Sequence, residues 1–387
     1  MIQSPPLDGI TVLDLTRLLP GPVCSQHLAD LGANVIKIED TGLGDYANNA
    51  MRALVNRNKR GLRLDLKNEE ARQVFYRLAA EADVVIESFR PGTTDRLGIG
   101  YQTLRELNPR LVYCSISGFG QQGPNRHLPG HDVNYCAEVG VADQIGGEGD
   151  TPGFSNLQLA DLMGGALTSA MGILAALFDA RRSGQGRCLD IAMTDGVFAH
   201  AIMPLASYNQ HGRTFAPGQD TLTGGLPCYA VYRTADDRFV AVGALEAKFW
   251  ALMCQTLGRT DLIELHRSKD PAVNARVRAE LTELFRSEPQ AHWDALFEGV
   301  ECCVTPVRKL EEALTSKLLE ARGMVVRTHH PHYGEMVQAA CPVKMSGFEF
   351  SVNRHAPLPG EHTDEVLIEA GYSQSEVSSL RRSGAIA

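Results

Sequence analysis

The chain has 387 residues, of which 44% are hydrophobic and 21% are charged, a composition typical of folded globular proteins rather than disordered or fibrous ones. Its length exceeds the roughly 250–300 residues at which one hydrophobic core stops growing, so we expect two structural units. Its 37 basic and 46 acidic residues give a net charge of −9, which opposes the positive field of a nucleic-acid-binding protein, so we expect no nucleic-acid partner.

Cysteine usage and the N-terminal sequence predict a cytoplasmic location. The nine cysteines include no C-x-x-C pair, and the adjacent Cys302 and Cys303 do not indicate a disulfide framework. Residues 1–10 lack the basic and apolar regions of a signal peptide. The longest segment without charge or histidine, residues 162–178, is shorter than the roughly 20 residues that span a bilayer. We therefore expect a buried helix there and no membrane contact.

The first part of the chain alternates strand and helix patterns. Strands are predicted by apolar runs, at residues 10–15, 33–39, 83–87, 110–117 and 186–192. Helical patterns lie between them, after a Pro-Gly-Pro turn at residues 20–22 and through residue 31, at residues 68–82 and from about residue 161 onward. This alternation predicts an α/β fold with a large Rossmann-like domain, in which helices cover both faces of a parallel sheet.

A linker and a smaller domain are predicted next. Residues 214–227 are rich in Gly, Thr and Pro, as in a linker. A hairpin pattern follows at residues 228–243, and then come four helical patterns, at residues 247–257, 272–286, 290–297 and 309–321. We interpret residues 228–323 as a smaller α+β domain. Residues 324–387, with short strands and a last helix, are expected to complete the large domain that begins with residues 1–213.

The glycine-rich loop at residues 118–123 fits the letters of the dinucleotide pattern G-x-G-x-x-G. A true fingerprint opens a helix directly, but Pro124 and Pro129 break any helix that would begin here. We therefore do not predict a nicotinamide site.

Two ionisable residues near this loop suit proton transfer. His131 has an ordinary pKa near ~6.5, although a surface or core histidine is the plainer interpretation. Asp161 is the only charge at the start of an apolar helix, where it could simply be an N-cap. Apolar surroundings should raise its pKa, and Gly164 and Gly165 should let a ligand approach closely. Together these features favour a reactive carboxylate.

Other charged residues have two interpretations each. Glu246 follows the second hairpin strand and is either a first-turn helix acid or a site residue. The cations Arg57, Lys59 and Arg60 are either a solvated turn or a phosphate-binding cluster. No metal-spaced ligand set is evident, and the three histidines beside Pro331 are expected at the surface: His329, His330 and His332.

The order of motifs along nearly the whole chain resembles the class III CoA-transferase superfamily of CaiB/BaiF type, and within it most closely the α-methylacyl-CoA racemases. The motifs include residues 7–15 (LDGITVLDL), 87–92 (ESFRPG), 117–120 (SGFG), 130–135 (GHDVNY), 241–246 (AVGALE) and 360–363 (GEHT). The resemblance implies an interlocked homodimer, in which the large domain of one subunit meets the small domain of the other at each site.

The resemblance also implies roles for individual residues. His131, Asp161 and Glu246 would be catalytic, and the backbone N–H of Asp132 would bind the thioester oxygen, with Gly130 and Tyr135 beside the substrate. Racemases often have an arginine after the second strand for the 3′-phosphate of CoA, where this chain has Asp40. The cations then expected to bind CoA are Lys37, Arg57, Lys59, Arg60 and Arg90.

The expected reaction is epimerisation of the α-carbon of a 2-methylacyl-CoA thioester, with CoA as part of the substrate and no other cofactor or metal. An α-proton beside a thioester is weakly acidic, so inversion needs a base on one face and an acid on the other. The alternative is CoA transfer between carboxylic acids, with Asp161 as the nucleophile. A third interpretation, a CoA-binding protein without activity, leaves the three ionisable groups unexplained.

Overall fold

The computed structural model describes residues 4–42, 49–146, 152–153 and 155–387. The chain divides into two compact units. The first comprises Met1–Gly140, Ser155–His200 and Leu318–Ala387, and the second comprises Val141–Phe154 and Ala201–Lys317. The C-terminal segment thus belongs to the first unit, and the predicted linker at residues 214–227 lies within the second.

A six-stranded parallel sheet forms the centre of the first unit, as the alternating pattern predicted. Its strands are β1 (Thr11–Asp14), β2 (Asn34–Glu39), β3 (Lys59–Arg63), β4 (Val84–Glu87), β5 (Val112–Ser117) and β6 (Cys188–Ala192). The strand order is β3-β2-β1-β4-β5-β6, and all neighbouring strands are parallel. The chain direction across the sheet reverses at β1, whose neighbours are β2 and β4. Open sheets of this kind bind ligands at the carboxyl ends of the strands beside such a point.

Helices connect these strands. They are α1 (Pro20–Asp30), α2 (Asn49–Val55), α3 (Glu69–Glu81), α4 (Thr93–Arg96), α5 (Tyr101–Leu107), α6 (Asp132–Glu138), α7 (Thr168–Ser183) and α8 (Met193–Phe198). Pro20 occupies the first turn of α1, where a missing N–H has no cost, and the Asn68 side chain caps α3 by accepting from the N–H of Glu70. A π-helical segment, Ala160–Leu167, leads directly into α7. No helix follows β5 until α6, so the G-x-G-x-x-G match opens none.

Strand β3 corrects the sequence interpretation, which allowed only a solvated turn or a phosphate-binding cluster there. Its sequence, KRGLR, is too polar to suggest a strand, yet Lys59 is fully buried. The Lys59 Nζ donates to Asp14 Oδ2 at 3.2 Å, to Ser25 Oγ at 2.7 Å and to Asn56 Oδ1 at 2.9 Å. Burial alone would raise the pKa of Asp14, but Lys59 and other neighbours lower it to about 2. A satisfied ion pair therefore replaces apolar packing in this strand.

The second unit is built around a small antiparallel sheet. Its strands, in the order β7-β8-β9, are β7 (Tyr229–Arg233), β8 (Phe239–Gly243) and β9 (Val304–Pro306), so the predicted hairpin is confirmed. The helices are α9 (Ile202–His211), α10 (Ala247–Thr256), α11 (Pro271–Arg286), α12 (Gln290–Phe297) and α13 (Leu310–Ala313). The next helix, α14 (Lys317–Ala321), begins at the last residue of this unit and lies mostly in the first unit, and α13 and α14 replace the single helix predicted over residues 309–321. Trp250, Phe285 and Trp293 are central to the core of the second unit.

The C-terminal segment adds a hairpin and two helices to the first unit. They are β10 (Val325–His330), β11 (Gly334–Ala339), α15 (Thr363–Glu369) and α16 (Gln374–Arg382). Leu367 and Val377 are fully buried in the core cluster that contains the sheet. His330 was predicted at the surface but is only 2% exposed, because its Nε2 pairs with the carbonyl of Ala356 at 2.9 Å.

One helical stretch, Ala160–Ser183, is long and apolar enough to cross a membrane by length and composition. Its buried side includes Ala166 and Ile173, which are fully buried in the first unit. Its other side is open to solvent, since Met171 and Phe178 are exposed. The helix predicted to be buried is therefore buried on one side only.

Candidate active site

A cavity of about 780 Å³ lies at the carboxyl edge of the parallel sheet. The loops that follow β1, β4 and β5 contribute to its wall, as do the start of α6 and the π-helical segment. Among its lining residues are five that the sequence singled out, namely Arg90, Gly130, His131, Tyr135 and Asp161. The structure therefore brings the predicted histidine and aspartate to one cavity.

His131 is held at the N-terminus of α6. Its backbone N–H donates to the Asn134 side chain at 3.1 Å, and its carbonyl accepts from the N–H of Asn134 at 2.8 Å. These bonds fix the backbone of His131. They therefore also fix the position from which its exposed imidazole lines the cavity.

The Tyr135 ring supports the same turn. Its hydroxyl donates to the carbonyl of Gly130 at 2.6 Å, and its ring meets that of Phe119 edge-on at 5.3 Å. A Cβ added at Gly118 or at Gly130 would lie 2.3 or 2.6 Å from a Tyr135 ring carbon. Both positions therefore need glycine so that the tyrosine can lie between the two loops.

Asp161 is the second residue of the π-helical segment, a feature frequent at functional sites. Asp132 caps this segment from outside, because its Oδ1 accepts from the N–H of Ala160 at 2.7 Å and of Asp161 at 3.1 Å. Burial, with the nearby negative charge of Asp132, raises the pKa of Asp161 to about 6, although His131 lowers it. The carboxyl group can therefore exchange a proton near neutral pH.

The glycines after Asp161 act differently from the prediction that they admit a ligand. A Cβ at Gly164 would lie 2.4 Å from the carbonyl oxygen of Met193, and one at Gly165 would lie 2.8 Å from Pro20 Cβ. The two glycines thus allow close packing of the π-helical segment on α8 and α1. Their role is to position the helix that bears Asp161.

A second cavity of about 780 Å³ lies at the carboxyl ends of β1 to β4. Arg17 and Phe89 line both cavities. Asp40, which replaces the arginine expected from the resemblance, lies here and forms an ion pair with Arg17. Four cationic side chains contribute to this lining: Arg17, Lys67, Arg72 and Arg96. None of these four was predicted from the sequence as a binding residue, although the end of the first strand is where a parallel sheet binds ligands.

Four predicted CoA-binding cations have internal partners instead. Lys37 and Lys59 are fully buried, and the Lys37 Nζ donates to the carbonyl of Thr16 at 2.8 Å. Arg57, 4% exposed, donates to both Asp30 carboxylate oxygens, and Arg60, 8% exposed, pairs with Glu365 at 3.0 Å. These four residues stabilise the fold, which corrects their predicted role. Arg90 alone of the five predicted cations lines the cavity that contains His131 and Asp161.

Glu246 belongs to the second unit. It immediately precedes α10, and its carbonyl accepts from the N–H of Phe249 at 3.0 Å and of Trp250 at 3.1 Å. Its side chain is exposed. The role of Glu246 in the reaction stays a prediction.

A parallel sheet with an imidazole and a carboxyl group in a cavity at its carboxyl edge is typical of α/β enzymes. Residues 7–363 match the family model described as CoA-transferase family III, and the chain therefore belongs to this family of enzymes. The chain is 37% identical to the alpha-methylacyl-CoA racemase of Mus musculus, over 97% of this chain and 96% of that one.

Transferases are also similar to this chain. The succinyl-CoA:glutarate CoA-transferase of Homo sapiens is 30% identical over 98% of this chain and 90% of its own. Among solved structures, a CAIB/BAIF family protein from Brucella suis has a TM-score of 0.82 and 28% identity, covering 95% of this chain and 100% of that chain. These likenesses agree with the family and the fold, and both reaction types occur among the relatives.

Proposed function

We propose that this protein epimerises the α-carbon of a 2-methylacyl-CoA thioester by transfer of a proton at that carbon. The observation that carries the proposal is that His131 and Asp161 line one cavity, with the pKa of Asp161 raised to about 6. A carboxyl group with this pKa serves as an acid in one direction and as a base in the other near neutral pH. The similarity to alpha-methylacyl-CoA racemases supports this choice.

In the proposed reaction, His131 removes the α-proton from one face of the substrate, and the electron pair moves to the thioester oxygen. The backbone N–H of Asp132 stabilises the resulting enolate oxygen. Asp161 then donates its proton to the opposite face, which inverts the centre and leaves Asp161 ionised. In the reverse direction the two residues exchange roles.

The two cavities together have the extent and chemistry to bind an acyl-CoA. We propose that the thioester lies beside His131 and that the nucleotide part occupies the second cavity. Arg17 and Phe89 line both cavities, and the cations Lys67, Arg72 and Arg96 line the part proposed for the phosphates, where Arg72 also pairs with Glu69. Asp40 pairs with Arg17.

A homodimer is part of the proposal, because Glu246 lies in a different unit from His131 and Asp161. The helix that bears Asp161 also has an apolar face open to solvent. Its residues Leu167, Met171 and Phe178 are 53%, 67% and 74% exposed. Contiguous exposed apolar side chains are typical of protein interfaces. We propose that a second copy covers this face and that Glu246 of the partner subunit orients His131.

Incubation with one epimer of a 2-methylacyl-CoA in deuterium oxide, without any acceptor acid, tests the proposed function. Epimerisation predicts deuterium at the α-carbon and formation of the other epimer. CoA transfer is the second candidate, because transferases are among the relatives and Asp161 also suits a nucleophile. A transferase would instead show no exchange without an acceptor and an acyl-enzyme that hydroxylamine traps.

A further inference from the structure

Residues 88–91, the loop that follows β4, form part of the wall of the cavity that contains His131. Phe89 lines both cavities, and Arg90 lines the one that contains His131. The Ser88 hydroxyl accepts from the backbone N–H of Arg17 at 3.2 Å, and the Arg17 guanidinium lies 5.9 Å from the centre of the Phe89 ring. The path of this loop therefore affects both cavities at once.

Glu87, the last residue of β4, holds this loop by a hydrogen bond. It is 2% exposed, and its Oε2 accepts from the backbone N–H of Phe89 at 2.7 Å. Ser115 is its register partner on β5, and the Ser115 hydroxyl is a second hydrogen-bond partner of the carboxyl group. Glu87 is absent from both cavity linings, so it acts through the loop and not on a ligand.

A second carboxylate, that of Asp190, lies on the next strand in register with Glu87 and Ser115. Ser115 is paired in register with Asp190 on β6. Gln121 lies in the loop that follows β5. Its N–H donates to the two Asp190 carboxylate oxygens, at 3.0 and 3.1 Å. Register partners on adjacent strands point to the same face of a sheet. The row of Glu87, Ser115 and Asp190 thus supports two neighbouring loops, both of which help to form the His131 cavity.

The charge on Glu87 is open to change near neutral pH. Burial raises its pKa to about 7, against the hydrogen bonds from Ser115 and Phe89, and the negative charges of Asp95 and Asp190 act in the same direction as burial. The other titratable groups that act on this site are neutral there, since burial raises the pKa of Tyr113, of Cys114 to about 12 and of Cys188 to about 11.

We propose that Glu87 is a positioning residue for substrate binding, whose ionised carboxylate holds the loop of residues 88–91 in the shape that binds CoA. An ionised carboxylate accepts with both oxygens, from the Phe89 N–H and from the Ser115 hydroxyl. A protonated carboxyl group or an amide accepts with one oxygen only and must donate with its other group. The hydrogen bond from Ser115 is then reversed and the loop is held less firmly. This inference rests on the proposed function, because it assumes that CoA binds at this wall.

Calorimetric titration of the whole protein with CoA, from about pH 6 to about pH 8.5, tests the inference. We expect the affinity of the unaltered protein to fall as the pH decreases through about 7, where Glu87 becomes neutral. Glu87→Gln should bind CoA roughly tenfold more weakly at the upper pH, the order expected for a lost hydrogen bond to a charged group. The affinity of this variant should also lack the stepwise fall near pH 7 that protonation of Glu87 causes in the unaltered protein. The phosphate of CoA titrates equally in both proteins, so the comparison removes its effect.

Two further variants make the result decisive. The exposed Glu106 on α5 provides a matched control, since Glu106→Gln should behave like the unaltered protein. Ser115→Ala removes a hydrogen bond that favours the ionised form, so the step should move to higher pH. This second variant decides the matter if Glu87→Gln does not fold. In steady-state exchange, Glu87→Gln should raise KM and leave kcat nearly unchanged, because it touches neither His131 nor Asp161.

The outcomes separate this inference from the proposed function. If the unaltered protein does not bind CoA, both fail. If it binds CoA, but Glu87→Gln keeps the same affinity and the same pH step, only the role of Glu87 is refuted. An equal loss of affinity at every pH, with the step retained, would show a merely structural role and would also overturn the inference.

Discussion

At the scale of single residues, the proposed chemistry depends on the environment of Asp161. Its pKa is raised to about 6 by burial and by Asp132, whereas His131 lowers it. Asp132 therefore has two effects at once. Its oxygen fixes the backbone at Ala160 and Asp161, and its charge disfavours ionisation of the neighbouring carboxyl group.

Asp132→Asn separates these two effects. The amide oxygen can still accept from both N–H groups, but the negative charge is lost, so the pKa of Asp161 should fall. Because Asp161 acts as a base only when ionised, the acidic limb of the pH–rate profile for α-proton exchange should move to lower pH. Asp143→Asn, at an exposed position, provides the control. An acidic limb that stays in place would show that Asp132 does not tune the reaction.

His131→Ala removes the second of the two proposed proton-transfer groups. We expect the exchange rate to fall by roughly 10²–10⁴-fold, as is typical when a general acid or base is lost, with the affinity for CoA little changed. Exchange kinetics together with calorimetry measure the two quantities. Near-normal activity of this variant with a carboxylic acid acceptor would favour the transferase instead.

At the scale of the structural elements, the close contact between the π-helical segment and α8 fixes the position of Asp161. Ala at Gly164 would place its Cβ 2.4 Å from the Met193 carbonyl oxygen and 3.0 Å from the Val197 nitrogen, both backbone atoms that cannot move alone. Gly172, on the same helix, has only ordinary contacts with side chains, the nearest at 3.4 Å. The two positions form a matched pair.

We expect Gly164→Ala to lower the free energy of unfolding by about 1–3 kcal/mol or more, because overpacking displaces one of the two helices. Gly172→Ala should be neutral or stabilising, since alanine favours a helix by roughly 0.5–1 kcal/mol over glycine. Denaturant titration of both variants measures the difference. Equal stabilities would mean that the contact with α8 yields easily and does not position Asp161.

Most elements could be predicted from the sequence, because buried parallel strands are apolar and alternate with helices. Helices α5, α8 and α9 were among those that were not predicted, and strand β3 shows the limit of the signal most clearly. Its cations Lys59 and Arg60 are buried only because the fold brings Asp14, Asn34 and Glu365 to them from distant positions. A local sequence pattern does not show these distant partners.

The site could be predicted only in part, for a similar reason. His131 and Asp161 stand out because each is a polar residue in an informative local context, and the structure brings both to one cavity. The cations that line the two cavities could not be predicted, because a run of basic residues does not show which side chains have internal partners. Arg57 is an example, since its partner Asp30 lies on α1.

At the scale of the whole molecule, the proposal requires two chains. A mixing experiment tests this with Asp161→Ala and Glu246→Ala chains, each of which should be impaired alone. If sites are shared between subunits, every heterodimer contains one intact site of two, so purified heterodimers should have about half of the normal activity and an unfractionated equal mixture about a quarter. No recovery in proven heterodimers would show that each subunit builds its site alone.

The central claim, proton transfer at the α-carbon by His131 and Asp161, is tested most directly by one isotope measurement. A single epimer of a 2-methylacyl-CoA is incubated in deuterium oxide with chelator and without acceptor acid, and the isotope content and configuration at the α-carbon are followed by NMR spectroscopy. We expect the opposite epimer to accumulate with deuterium at this carbon, and Asp161→Asn to abolish its formation. No deuterium and no inversion, in a protein that binds the thioester, would contradict it.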